Sequence, residues 1–200
     1  MKTVVVADFD ETLVHENTLI PLYKHLSTKP MIQVVARVFG SLHWLKIGLH
    51  QAIKAQMYRE ILAGREEKVV RDTAKEIAKT INVNECSLEK LNQYRDAGAV
   101  VVVASASLEP FVETVLEEKN IRVDRVIGSI PVQDNGIYTS DLLGGECVGK
   151  QKAERSKKVL ERYYSGYRVI VLGNLPADRA LMNLADEAYV VDGEDIRKYR

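Results

Sequence analysis

Apolar residues run along this chain in two rhythms. Short unbroken runs, Val4-Val5-Val6-Ala7, Ala99–Ala104 and Arg168–Leu172, lack polar alternation. That is expected of strands buried on both faces of a parallel sheet. Between the first two runs, from about Thr18 to Ile81, the spacing turns helical. It predicts helices over Thr18–Leu26, Met31–Ile47, Gln51–Leu62 and Glu66–Ile81, punctuated by Ser27-Thr28-Lys29-Pro30 and Ala63-Gly64. Val69, Val70, Thr73, Ile77 and Ile81 fall roughly on one face, with charges opposite. Met31–Leu49 is notably apolar, with Phe39 and Trp44, but Arg37, His43 and Lys46 interrupt it. A membrane span needs ~20 nearly uninterrupted apolar residues, so this stretch reads as the buried helix of a small bundle. A groove for an apolar substrate, or a contact with a lipid surface, stays open for it.

Beyond Asn84-Glu85 strands and helices alternate. A helix is expected over Leu88–Ala97, ended by Gly98, then a strand over Ala99–Ala104 and a helix over Glu109–Lys119 opened by Pro110. Val123–Ile127 reads as a short strand. Ile130-Pro131-Val132 and Ile137-Tyr138-Thr139 flank an Asn-Gly turn, the mark of a β-hairpin. Helices over Lys152–Tyr163 and Pro176–Ala185 and a last strand over Ala188–Val191 complete the pattern. The fold class is α/β, a doubly wound parallel sheet. Residues 1–14 and 85–200 form its core, and 15–84 a helical insertion after the first strand.

Two hundred residues suffice for one core and a modest insertion. Lys+Arg and Asp+Glu balance at 28 each, so no global field draws nucleic acid or anionic lipid. The expected partner is a small molecule, or one recognised locally. Cys86 and Cys147 have no CxxC or metal-ligand spacing, which points to buried reduced thiols and a cytoplasmic setting. The N-terminus runs straight into a strand, so no signal peptide is expected.

The chemistry gathers where strands end, the place where open α/β sheets keep their reactive sites. Asp8 and Asp10 follow the first strand. Two carboxylates so close repel unless a cation or proton relieves them. Either a divalent cation sits beside a nucleophilic Asp8 with Asp10 as acid/base, or this is a solvated acidic turn. Ser105, with the Ala106 N–H after it, makes a phosphate-binding corner, unless Ser105 or Ser107 simply caps the next helix. Lys150 and Lys152 open a helix, and either can face a phosphate. Gly144-x-x-x-x-Gly149-Lys150 mimics a P-loop. However, Gln151 replaces the Ser or Thr that binds Mg²⁺, and a hairpin precedes it where a strand is needed.

Together, Asp8-Phe9-Asp10-Glu11-Thr12-Leu13-Val14, the Ser105-Ala106-Ser107-x-x-Pro110-Phe111 stretch, the lysines and Gly173-Asn174-x-x-x-Asp178 resemble four ordered motifs. They are those of the haloacid dehalogenase (HAD) superfamily, in its phosphoserine-phosphatase-like branch. The resemblance implies a Rossmann-like core with a helical cap. It also implies Mg²⁺-dependent hydrolysis of a small or lipid-like phosphomonoester through an aspartyl phosphate. Asp8 would be nucleophile and Asp10 acid/base. Asp8, the Asp10 carbonyl, residue 174 and Asp178 would serve the metal, while Ser105, Ala106 and Lys150 or Lys152 would bind phosphate. Two departures stand out. Asn174 replaces an Asp that is usually a metal ligand, and Asn17, beside Glu16, stands where a Glu reads the ammonium of phosphoserine. Arg37, His43, Arg59 and Arg65 are candidate substrate contacts in the cap. The rival reading is a phosphate- or partner-binding protein whose metal site Asn174 weakens. A receiver-type signalling domain fits neither the DxD spacing nor the long insertion.

Overall fold

The computed structural model describes residues 1–41 and 44–199. Strand β1 (Thr3–Ala7) is followed by helices α1 (Leu19–Leu26), α2 (Met31–Ser41), α3 (Trp44–Ile47), α4 (Leu49–Leu62) and α5 (Glu67–Ala78). Then come α6 (Glu85–Asp96), β2 (Val100–Leu108), α7 (Glu109–Glu118), β3 (Arg125–Ser129) and the hairpin β4 (Pro131–Asp134) and β5 (Ile137–Leu142). The chain closes with α8 (Lys150–Tyr163), β6 (Arg168–Gly173), α9 (Arg179–Met182), β7 (Glu187–Asp192) and β8 (Asp195–Lys198).

Six strands form one sheet in the order β3-β2-β1-β6-β7-β8, parallel except for β8. β1 lies centrally, pairing Val5 with Val101 on one side and Ile170 on the other. Alternation along the strands splits the core between two faces. Val5, Ala7, Val101, Val103, Ile170 and Leu172 face one apolar cluster; Val4, Val6, Val102, Ala104, Val171 and Ala188 face the other. The second is covered by α8 and α9 through Leu160, Leu181 and Met182. The first continues without a break into the inserted helices, through Leu22, Met57, Tyr58, Ile61, Val70 and Ile77, and meets Phe111 and Val115 of α7 there.

Entry to and exit from the insertion lie side by side. The His15 N–H donates to the Asn82 carbonyl at 3.0 Å and the Asn84 N–H to that of Leu13 at 2.9 Å. Asn84 also caps α6, accepting the Ser87 N–H at 3.1 Å. Arg71 of α5 ties the helices to α7, reaching Glu113 at 2.8 Å and Thr114 at 3.2 Å. The β4–β5 turn has Asn135 and Gly136 at φ 50° and 82°, the paired left-handed geometry an Asn-Gly hairpin turn requires.

Five expectations change. Within the apolar Met31–Ile47 stretch, α2 and α3 cover residues 31–41 and 44–47, and residues 42–43 lie outside the described residues. It is not the bundle's buried helix: of the α2 residues only Val34 and Val38 are buried, and α3 buries none. Strand β2 runs on through Ser105-Ala106-Ser107 to Leu108, with its register to β3 shifting after Ala104. The helix expected over Pro176–Ala185 shrinks to α9. A final antiparallel strand, β8, turns back at Gly193 (φ 59°), because β-hairpin turns need no apolar run to announce them. Both cysteines are free, Cys147 buried but Cys86 half-exposed.

Candidate active site

Asp8 is where the β1 backbone leaves the sheet, its N–H still donating to the Leu172 carbonyl at 2.9 Å. The chain then folds around the buried Phe9, whose carbonyl accepts the N–H groups of Leu13 (2.9 Å) and Val14 (3.1 Å). That turn, with Glu11 in the left-handed region at φ 57°, brings Thr12 back beneath Asp8. The Thr12 hydroxyl donates to Asp8 Oδ2 at 3.2 Å.

Lys152 comes from the first turn of α8 and places its Nζ 2.7 Å from Asp8 Oδ1 and 2.7 Å from Asp178 Oδ1. All three side chains are buried: Asp8 is 4% exposed, Lys152 3% and Asp178 1%. Lys150, one of the two sequence candidates, is exposed at the helix start. Asp178 also accepts the Asn174 N–H through Oδ2 at 3.1 Å. A side chain at Gly173 would put its Cβ 2.7 Å from that same oxygen, so glycine is required where β6 ends.

The electrostatics follow from a buried triad with two negative charges and one positive. Burial pulls the Lys152 ammonium down, but the charges of Asp8 and Asp178 outweigh it and hold it above the usual lysine range. Burial, and then the Asp8 charge, push Asp178 up to about 7 against the pull of Lys152. Asp10 is also raised, first by burial and further by Asp8, while hydrogen bonds from Thr18 and Ser107 partly offset both. Its Oδ1 accepts the Thr18 N–H at 2.9 Å and its Oδ2 the Ser107 hydroxyl at 2.8 Å. Thr18 and Ser107 hydroxyls are themselves 3.0 Å apart.

Ser105 and Ser107 do not cap α7, whose first residues have no side-chain cap. Ser105 Oγ accepts the Ser107 N–H at 3.0 Å, which leaves its own proton free to donate. The Ala106 carbonyl takes hydroxyls from Ser129 (2.7 Å) and from Tyr58 of α4 (2.9 Å). Thr18 and Tyr58 are the residues that reading the sequence missed. Thr18 precedes α1 and Tyr58 lies on α4, and only tertiary packing aims them at β2, so no local pattern marks them. Tyr58 is deeply buried, and burial, then Glu146 and Asp10, hold its phenol well above the usual range.

Asn174 lies beside Glu11, its amide nitrogen 3.3 Å from Glu11 Oε2, in the wall of a cavity of about 350 Å³ bounded also by His15, Leu175 and Arg197. A larger hollow, about 740 Å³, opens near Asn120 and Arg125 at the amino end of β3 and holds none of this cluster. Of the four cap candidates, Arg65 donates to the carbonyls of Glu60 and Leu26, and Arg37 pairs with Glu60. Arg59 is exposed, and His43 lies outside the described residues. Glu16 accepts the Asn82 N–H at 3.1 Å, and Asn17 is exposed.

Asp8, Asp178 and Lys152 converge at the carboxyl edge of a doubly wound sheet, with Ser105 near the end of the neighbouring strand β2. This arrangement can hold an oxyanion while one carboxylate attacks and another moves a proton. The chain belongs to the haloacid dehalogenase-like hydrolases, whose family profile matches residues 5–183. Its fold is similar to that of a HAD family hydrolase from Salmonella enterica subsp. enterica serovar Typhi (TM-score 0.66, 13% identity, covering 92% of this chain and 60% of that one). The chain thus spans about 60% of that protein's length. A protein of unknown function from Bordetella pertussis Tohama I is similar over 94% of this chain and 89% of its own, with TM-score 0.74 and 13% identity. A substrate-bound phosphoserine phosphatase is similar over 94% and 85%, with TM-score 0.64 and 18% identity. At these identities the likeness is one of fold. No curated protein matches the sequence. Among the described residues no helix is long and apolar enough to cross a membrane.

Proposed function

We propose that this chain hydrolyses a phosphomonoester through an aspartyl phosphate on Asp8, with Mg²⁺ as cofactor. The observation that carries this reading is Lys152, buried between Asp8 and Asp178 at 2.7 Å from each. It leaves a nucleophilic carboxylate charged but screened from an incoming dianion. Membership in the hydrolase family and the likeness to phosphoserine phosphatase support it.

A Mg²⁺ ion suits the donors on the loops after β1 and β6. The Asp8 carboxylate, the Asp10 main-chain carbonyl and the Asn174 amide oxygen are all hard ligands. Asp8 Oδ2 accepts only the long 3.2 Å bond from Thr12, so it keeps capacity for a cation. When bound, the ion would offset repulsion between Asp8 and the anionic phosphate. Of the roles open to Asp178, we assign it to holding Lys152, since both its oxygens are taken.

Asp8 attacks phosphorus and the bond to the leaving oxygen breaks, while the Asp10 carboxyl, whose burial and nearness to Asp8 favour its neutral form, gives that oxygen its proton. The Ser105 hydroxyl, the Ala106 N–H and the Lys152 ammonium hold the phosphoryl oxygens. Asp10 then takes a proton from the water that attacks the same phosphorus, freeing inorganic phosphate and restoring Asp8. Residues 1–14 and 85–200 supply this chemistry. The helical cap, 15–84, positions Asp10 through Thr18 and selects the leaving group. With Glu16 tied to Asn82 and a neutral Asn17, phosphoserine is not the favoured substrate.

The test is a panel of phosphomonoesters, lipid phosphates included, assayed with Mg²⁺ and with chelator. Metal-dependent release of phosphate from at least one member is expected. Asn174 favours a second reading, a phosphate-binding protein. Stabilisation by inorganic phosphate with no turnover on any member would establish that reading and overturn ours.

A further inference from the structure

The outward face of α2 breaks the usual rule for surface helices. Val34 and Val38 point into the bundle, and the opposite side of the helix should be polar. Instead it carries Ile32, Ala36 and Phe39, with Ile32 73% and Phe39 47% exposed. Helical spacing stacks these three in one stripe. The stripe runs on to α3, because Phe39 meets the Trp44 ring edge-on at 5.4 Å. There Leu45 is 65% exposed beside the exposed Lys46, and Leu49 opens α4. Contiguous apolar surface of this kind marks a binding face.

Charge indicates what binds it. From Asn17 through Arg59 the sequence has no Asp or Glu, while it carries Lys24, Lys29, Arg37, Lys46, Lys54 and Arg59. The rest of the chain must then be net acidic, since the whole is neutral. Lys29 and Arg37 share the single charge of Glu60, and Lys54 is paired with Glu146. Among the described residues no ion pair engages Lys24, Lys46 or Arg59. Apolar side chains projecting from an excess of cations complement an anionic lipid interface, where acyl chains take the first and headgroup phosphates the second.

We propose that the outer face of α2 and α3 seats this protein on an anionic phospholipid surface. Ile32, Phe39 and Leu45 enter the boundary between headgroups and acyl chains, and Lys46 with its neighbouring cations holds the lipid charge. The protein lies on the bilayer and does not span it. This proposal stands apart from the hydrolytic reading, because binding is measured without turnover.

The experiment is co-sedimentation of the full chain with vesicles of phosphatidylcholine alone or doped with phosphatidylglycerol. Binding is expected only with phosphatidylglycerol, and high salt should weaken it. The double variant Ile32→Ser/Phe39→Ser should bind at least about tenfold more weakly, and Lys46→Glu about tenfold. These exposed positions should leave the melting temperature within a degree or two of the parent, as usual for surface changes. Equal binding to both vesicles, or variants that bind like the parent, would overturn the proposal. So would a dimer in solution that Ile32→Ser/Phe39→Ser dissolves, since a second copy would then cover the face.

Discussion

Replacing Lys152 with Met tests the centre of the site most directly. The substitution keeps an unbranched chain of similar length and removes the positive charge that bridges Asp8 and Asp178. Where both carboxyls are ionised the buried triad goes from one excess negative charge to two, and each carboxylate loses a 2.7 Å partner. Breaking a buried ion pair from one side costs about 3–5 kcal/mol, or about 10 °C of melting temperature in a chain this size. The loss should depend on pH. Asp178 sits at about 7 with Lys152 present and rises further without it. A carboxyl raised in the folded state keeps a proton that the unfolded chain has lost. The penalty is therefore small near the unfolded value, grows as pH rises toward the folded one, and is complete above it. Melting curves followed by circular dichroism at about pH 5 and pH 8 should show the larger loss at the higher pH. Adding Asp178→Asn should recover at least about half of it. An equal loss at both pH values, or none, would refute the argument that charge imbalance is the cause.

Asp8→Asn should abolish phosphate release while leaving the melting temperature unchanged or higher, because one Lys then faces one Asp; wild-type turnover would exclude Asp8 as nucleophile. Asn174→Asp should bind Mg²⁺ about tenfold more tightly, roughly 1.4 kcal/mol, and isothermal titration of both forms decides whether position 174 is a ligand. In otherwise wild-type protein, Asp178→Asn should flatten the fall in stability between the unfolded carboxyl value, about 3.9, and about pH 7, read from melting temperature against pH. Tyr58→Phe should cost about 1 kcal/mol for the hydrogen bond to the Ala106 carbonyl, seen in denaturant unfolding; no change would mean Ser129 alone satisfies that oxygen.

The sheet was legible because its strands are unbroken Val and Ala runs that only a doubly covered strand tolerates. Asp8 and Ser105 could be placed for the same reason, each following directly on such a run, whereas Asp178 was marked only by its spacing from Gly173. Lys152 could not be told from Lys150, because the choice depends on which way α8 turns over the sheet, and its first turn carries only polar residues before Ala153. The burial of α2 was misjudged because its second apolar stripe mimics a core helix; periodicity counts apolar residues and cannot say what covers them. β8 was missed because Asp195-Ile196-Arg197-Lys198 is an edge strand, too short and polar to signal itself.

The apolar cluster that runs from the sheet into α1, α4 and α5 bears on how the molecule can move and melt. A lid that swings on a hinge needs a wet seam between itself and its base. Here the seam is filled by Leu13, Leu22, Ile61, Ile77 and Phe111, and its two strands are stitched at residues 13–15 and 82–84. Opening at that line would expose the centre of the protein. On the proposed hydrolytic reading, admission of substrate would therefore fall to the outer helices and loops, of which α2 buries only Val34 and Val38 and α3 nothing. The base of the insertion should share the sheet's fate on heating, in one cooperative transition.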